Sequence, residues 1–130
     1  VVFRSHVLPL ADRASFVAAD GEVVPGIRAV AAHGHTPGHL AFHVESEGKR
    51  LLVWGDCAHH EVASLARPDW HALFDQDKVA GAATRRKIYD MAATDRVLVA
   101  AYHTSFPSLG YVERRGEGYR WLPLTYQLAE

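Results

Sequence analysis

Three times in this 130-residue chain a short apolar run ends and a side chain able to grip a metal ion follows within three residues. Residues 27–32 lead to His35, residues 51–54 lead through Gly55 to Asp56, and residues 97–101 lead through Tyr102 to His103. Apolar runs of that length, bounded by glycine and proline, read as strands of a packed sheet. Strands carry their ends to a shared edge, where ligand sites commonly form. Two imidazoles and a carboxylate suit zinc and related divalent ions. The fold must then bring three chain-distant strand ends side by side. The spacings, 21 and 47 residues, are not diagnostic alone. Each residue also has an ordinary alternative, a surface histidine or an aspartate in a turn.

The rest of the pattern fits such a sheet. Residues 1–10 are apolar without a clear period and read as a helix tail or a lone strand. Segments 15–18 and 22–24 flank Asp20-Gly21 and predict a short hairpin, with Pro25-Gly26 a second turn. Thr36-Pro37-Gly38 predicts a type II turn. Residues 40–45 alternate apolar and polar, and 49–54 run back after Ser46-Glu47-Gly48, which predicts a hairpin. Residues 57–82 are less regular. Asp77 can cap a helix running to about Ala93, with Ala80, Thr84, Ile88 and Met91 inward and Arg85, Arg86 and Lys87 solvated. Residues 96–101 read as a strand, and 110–115 with 119–122 as a last hairpin. The fold class is a layered α/β or α+β unit with a mixed sheet and a packed helix.

Composition narrows the function classes. With 48% apolar and 22% charged residues the chain is globular and the size of one domain. A net charge of -1 argues against a nucleic-acid partner, and no apolar run approaches the roughly 18–20 residues of a membrane span. The single cysteine, Cys57, excludes an internal disulfide and reads as a small apolar filler beneath the site rather than a nucleophile. Histidine, at 9 copies, is over-used. The start at Val1, without Met or a signal-like segment, reads as a processed, trimmed or partly observed chain.

Gly34-His35-Thr36-Pro37-Gly38-His39, then Gly55-Asp56, then Ala101-Tyr102-His103-Thr104-Ser105-Phe106-Pro107 resemble, in order and spacing, the later motifs of the metallo-β-lactamase superfamily. Ser105-Phe106-Pro107, the segment 110–117 and the tail Gly118-Tyr119-Arg120-Trp121-Leu122-Pro123 are most similar to the branch of methyl parathion hydrolase and lactonase-like enzymes. The resemblance runs from about residue 11 to 124. It implies that residues 1–130 are a partial domain, the C-terminal half of an αββα sandwich. By that resemblance His35 matches the third histidine ligand. Asp56 matches the catalytic carboxylate that bridges two ions, and His103 the last ligand of the second ion. His39 would be a supporting residue that does not ligate. Tyr102 and Phe106 could line the substrate side, although core aromatics are the plainer reading. The family's His-x-His-x-Asp-His signature is missing from this chain; His59-His60 and His33-Gly34-His35 are its nearest approaches.

The resemblance implies a dinuclear, metal-dependent hydrolase of small esters, lactones or phosphotriesters, with a metal-bound hydroxide as nucleophile. Zinc is the first expectation, with manganese, iron or cobalt acceptable to the same donors. As an incomplete half the chain is expected to be inactive alone. Its exposed sheet face would need covering by the missing N-terminal half or by a second copy, so self-association is expected. Two other readings stand beside it: a non-catalytic structural or interaction module with vestigial histidines, and a structural zinc site of His33, His35 and His39.

Overall fold

The computed structural model describes residues 2–125; Val1 and residues 126–130 lie outside the described residues. The strands are β1 Glu22–Val24, β2 Ile27–Ala31, β3 Leu40–Ser46, β4 Lys49–Val53, β5 Leu98–Ala100, β6 Leu109–Arg115 and β7 Gly118–Pro123. Two α-helices, α1 Ala63–Ala66 and α2 Lys78–Asp95, lie between β4 and β5. Among the described residues the strands form one sheet in the order β1-β2-β3-β4-β5-β6-β7. Every neighbouring pair is antiparallel except β4 with β5, which run parallel. That exception follows from connectivity, since a parallel pair needs a crossover long enough to hold a helix.

Cross-strand partners define the two faces. Ala41 opposite Val30, Leu52 opposite Val99 and Val112 opposite Trp121 point to the helical side. There Trp54, Leu52, Val99, Leu65 of α1, and Ile88 and Tyr89 of α2 are completely buried. Each large apolar side chain so buried contributes roughly 1.5–3 kcal/mol. On the other face Phe42 pairs with Val53, Val44 with Leu51, and Leu51 with Leu98. These apolar side chains stay half-buried.

α2 begins where its sequence says it should, with the Asp77 carboxylate accepting from the Ala80 N–H at 2.9 Å. It ends at Arg96, which takes the left-handed conformation (φ 49°) usual for a closing glycine. Its buried stripe is Gly81, Arg85, Ile88, Tyr89 and Ala92, rotated one residue from the expected Ala80, Thr84, Ile88 and Met91. Arg85 therefore turns inward, against the expectation that it is solvated. Its stem fills the stripe and its guanidinium finds partners underneath.

The N-terminal expectations fail in part. Residues 15–18 form no strand; β1 pairs with β2 instead, around Pro25-Gly26. Asp20 is still used, since its Oδ1 accepts from the Ala31 N–H at 2.8 Å. Phe3–Arg13 is a run of irregular helical turns, without a buried residue. The Thr36–His39 turn closes with an N–H to O bond of 3.2 Å, but Gly38 does not take the positive φ that a type II turn requires. No described helix is long and apolar enough to cross a membrane.

Candidate metal centre

Three strand-end loops build the site, and each is shaped by a particular backbone device. After β2, Gly34 has φ 133°, and a Cβ there would lie 2.2 Å from the backbone nitrogen of Gly81. The loop is thus pressed backbone to backbone against the first turn of α2. Three hydrogen bonds pin it: Asp77 N–H to Gly34 O at 2.9 Å, Gln76 N–H to His35 O at 3.2 Å, and Thr84 Oγ1 to His33 O at 2.6 Å. His35 is presented from this clamped bend.

After β4, Gly55 has φ 56°, and a Cβ there would come within 2.7 Å of His39 Nε2. His39 ties the first two loops together. Its Nδ1–H donates to Ala32 O at 2.9 Å and its Nε2 accepts the Asp56 N–H at 3.0 Å. Because the amide can only donate, Nε2 must accept and Nδ1 must carry the proton. Both ring nitrogens are therefore spent on backbone. That removes the alternative zinc site of His33, His35 and His39, for which His39 has no nitrogen left.

After β5, His103 has φ 60°, an uncommon conformation for a residue other than glycine. Its loop is held by Ala101 N–H to Ser108 O at 2.9 Å, and by Ser105, whose N–H and Oγ–H each donate to the Glu61 carboxylate at 2.9 Å. Tyr102 and Phe106 are 56% and 91% exposed, so neither is a core aromatic. They stand on the surface on either side of His103 in the chain.

The three side chains meet. Asp56 Oδ1 lies 2.9 Å from His103 Nε2, and Asp56 Oδ2 lies 3.5 Å from His35 Nε2. One carboxylate thus offers a different oxygen to each imidazole. The side chains become more open across the site, from 21% exposed at His35 through 33% at Asp56 to 51% at His103. Nitrogen and oxygen donors of these types suit divalent ions, with Asp56 between the two imidazoles rather than all three converging on one point.

A second group lies behind His35. Its Nδ1 is 3.2 Å from Asp75 Oδ1 and 3.2 Å from His59 Nε2, while His59 Nε2 is 3.9 Å from Asp75 Oδ1. These three residues, unlike His35, Asp56 and His103 taken together, bring one ligand atom each within 4.8 Å of one another, the spacing of a site for a single ion. Asp75 is buried, and its Oδ2 accepts from Arg85 Nη1 at 3.0 Å and from the Ala72 N–H at 3.1 Å. Burial alone would raise the Asp75 carboxyl, but the hydrogen bonds from Arg85, His35 and Ala72 outweigh it and hold it below the usual range. Burial lowers the His59 imidazole below its usual value, against a smaller raising effect of Asp75. The ring of His59 stacks on that of His103 at 5.8 Å, and Phe74 sets its edge against both His35 and His59. Cys57 is buried, and burial pushes its thiol up to about 12, which suits the filler reading.

His59, Asp75 and Arg85 are absent from the ligand set that the sequence suggests. His59 follows Asp56 by three residues and so could have been suspected. Asp75 sits in an irregular stretch and Arg85 in a run of charge; no pattern along the chain marks either.

No family model matches the chain, and no curated protein matches it. Solved structures do. The chain is similar to AidC, a dizinc quorum-quenching lactonase in complex with the product N-hexnoyl-L-homoserine: TM-score 0.82 and 22% identity, over 96% of this chain and 47% of that one. It is also similar to the hydrolase AbOPH of the beta lactamase superfamily, with TM-score 0.84 and 26% identity over 95% of this chain and 43% of that one. A probable metal-dependent hydrolase from Staphylococcus aureus matches at TM-score 0.66 and 18% identity, over 88% of this chain and 42% of that one. The chain spans less than half the length of each.

Proposed function

The chain carries part of a metallo-β-lactamase fold, and from that premise we propose that it is the metal-holding C-terminal portion of a divalent-metal-dependent hydrolase. The observation that carries this reading is the Asp56 carboxylate, which turns one oxygen to His35 and the other to His103. A residue so placed can be shared between two ions, and two ions in one site are the arrangement expected of the complete enzyme. Zinc is favoured by the donor set and by a dizinc neighbour.

A divalent ion at such a site supplies a hydroxide nucleophile near neutral pH and Lewis-acid stabilisation of the oxyanion that develops. This chain's own residues supply placement. His39 fixes the Asp56 backbone through its N–H, and the Gly34 bend fixes His35. Phe74, Tyr102 and Phe106, all exposed and close in space or sequence to the ligands, offer an apolar rim for the non-reacting part of a small ester or lactone. The lactone class is favoured by the lactonase neighbour, and a phosphotriester would fit the same chemistry. Full activity would need ligands from outside these residues, and the half-buried sheet face would be covered by that partner portion or by a second copy.

The reading is tested by zinc content and by turnover of lactone and aryl-ester substrates, in protein containing this chain with and without Asp56→Ala. The expected result is loss of zinc from the centre and a drop in turnover of at least about 10²-fold, as for removal of a principal electrostatic group. An Asp56→Ala protein that keeps its zinc and its rate would overturn the proposal. Protein free of zinc, manganese and iron after purification without chelator would favour the non-catalytic module.

A further inference from the structure

We propose that Arg85 is a positioning residue for this centre: acting through Asp75, it holds His35 in the tautomer protonated at Nδ1, leaving Nε2 to face Asp56. The inference rests on the metal reading above and deepens it.

His35 is the one candidate ligand whose two ring nitrogens face two different carboxylates. Nδ1 is 3.2 Å from Asp75 Oδ1, and Nε2 is 3.5 Å from Asp56 Oδ2. A ligating imidazole must present a bare nitrogen to the ion, so its proton must rest on the other nitrogen. Asp75 Oδ1 accepts that proton's hydrogen bond only while the carboxyl group keeps this orientation. Arg85 secures that orientation. Its Nη1 donates to Asp75 Oδ2 at 3.0 Å while its Nε donates to Pro68 O at 3.0 Å, a two-point hold that a flexible lysine cannot reproduce.

Fold stability alone gives weak reason for this arrangement. Replacing a buried ion pair by apolar side chains is often neutral or favourable. Here one guanidinium nitrogen, Nη2, also lacks a hydrogen-bond partner among the described residues. The pair instead stands where it can orient a ring. An ion could alternatively sit on the other side of that ring, among His35 Nδ1, His59 Nε2 and Asp75 Oδ1. The geometry disfavours this site, because the cationic guanidinium is already bound to the same carboxylate. Asp56, by contrast, has no lysine or arginine partner among the described residues.

The test uses cobalt(II) titration of protein containing this chain, followed by visible absorption against a competing chelator, with ¹⁵N spectra of the His35 ring in the metal-free state. Arg85→Lys and Asp75→Asn should each weaken cobalt roughly 10–100-fold, the usual cost of disturbing a group that orients a ligand. They should also convert a single Nδ1-protonated His35 signature into a mixture of tautomers, which mere loosening of the core would not do. Should Arg85→Lys not fold, Asp75→Asn, of almost identical shape, decides the matter by both measurements. Cobalt affinities within about twofold of the parent, together with an unchanged His35 tautomer, would overturn the inference. So would a His59→Ala chain that loses cobalt as fully as His35→Ala does, since the ion would then lie on the Nδ1 side. Failure of the parent protein to bind cobalt counts against the metal reading, whereas the tautomer measurement still judges the role of Arg85.

Discussion

His35 and Asp56 sit on loops clamped to buried structure, whereas His103 rides on a loop whose anchor, Glu61, is held at the surface. On the first side the devices are steric and internal: Gly34 against Gly81, Gly55 against His39, and a histidine whose two nitrogens bind two loops. On the second side they are a few hydrogen bonds around Ser105 and Ser108, beside a left-handed His103. The difference suits a site that must be preorganised and yet open. One half sets the coordinates of the first ligands, and the other can adjust when an ion or a substrate arrives.

The comparison breaks most readily at Gly34. An alanine there would bring a Cβ to 2.2 Å from the nitrogen and 2.3 Å from the Cα of Gly81, and neither backbone atom can swing aside. The conformation at φ 133° adds strain of its own. Together these should cost about 3–5 kcal/mol in denaturant unfolding and should abolish metal binding. A Gly34→Ala chain within about 1 kcal/mol of the parent would mean that the clamp is soft and the contrast unreal.

His39→Ala is the next largest effect. Two hydrogen bonds disappear and the Asp56 N–H is left without its acceptor. At about 0.5–1.5 kcal/mol per bond, with a further penalty for a stranded donor, the loss should be about 1–3 kcal/mol. Metal affinity should fall with it, although His39 holds no ion. Unchanged affinity beside reduced stability would show that Asp56 is positioned by Gly55 and the strand alone.

The same contrast explains what could be read along the chain. Hairpins β3–β4 and β6–β7, the Asp77 cap and the strand ends carrying His35, Asp56 and His103 all follow from local pattern and turn chemistry. The expectation of a type II turn at Thr36-Pro37-Gly38 fails at Gly38, which has no positive φ, whereas Gly34, expected together with that turn to hold His35 in a tight bend, has φ 133°. The demanding position is Gly34, and what demands it is Gly81, 47 residues away. Arg85 lies in a run of charge with Arg86 and Lys87, and such runs usually face solvent. It turns inward because the buried stripe of α2 is rotated by one residue and because Asp75 and Pro68 wait beneath it. Asp75 and His59 meet His35 across 40 and 24 residues, a distance at which periodicity carries no information. Short-range patterns announce ligands, and long-range contacts choose what supports them.

Glu61 offers the gentlest way to sharpen the comparison, because it holds the His103 loop without belonging to the core. The Ser105 backbone N–H, and then its hydroxyl, hold the Glu61 carboxyl below its ordinary 4.5. A carboxyl whose folded value is depressed contributes above its unfolded value, and that contribution is lost as pH falls through the folded one. The protection of the Ser105 amide against hydrogen exchange should therefore stay level above about pH 4.5 and decline below it. In Glu61→Ala that protection should be low throughout, several-fold below the parent at neutral pH, with the midpoint of global unfolding nearly unchanged. Metal affinity should drop only slightly, since His103 can still reach the ion from a looser loop. If Ser105 is equally protected in both proteins, the third loop is as firmly built as the first two. The site would then be rigid on every side, and the opening needed for a substrate would have to come from elsewhere.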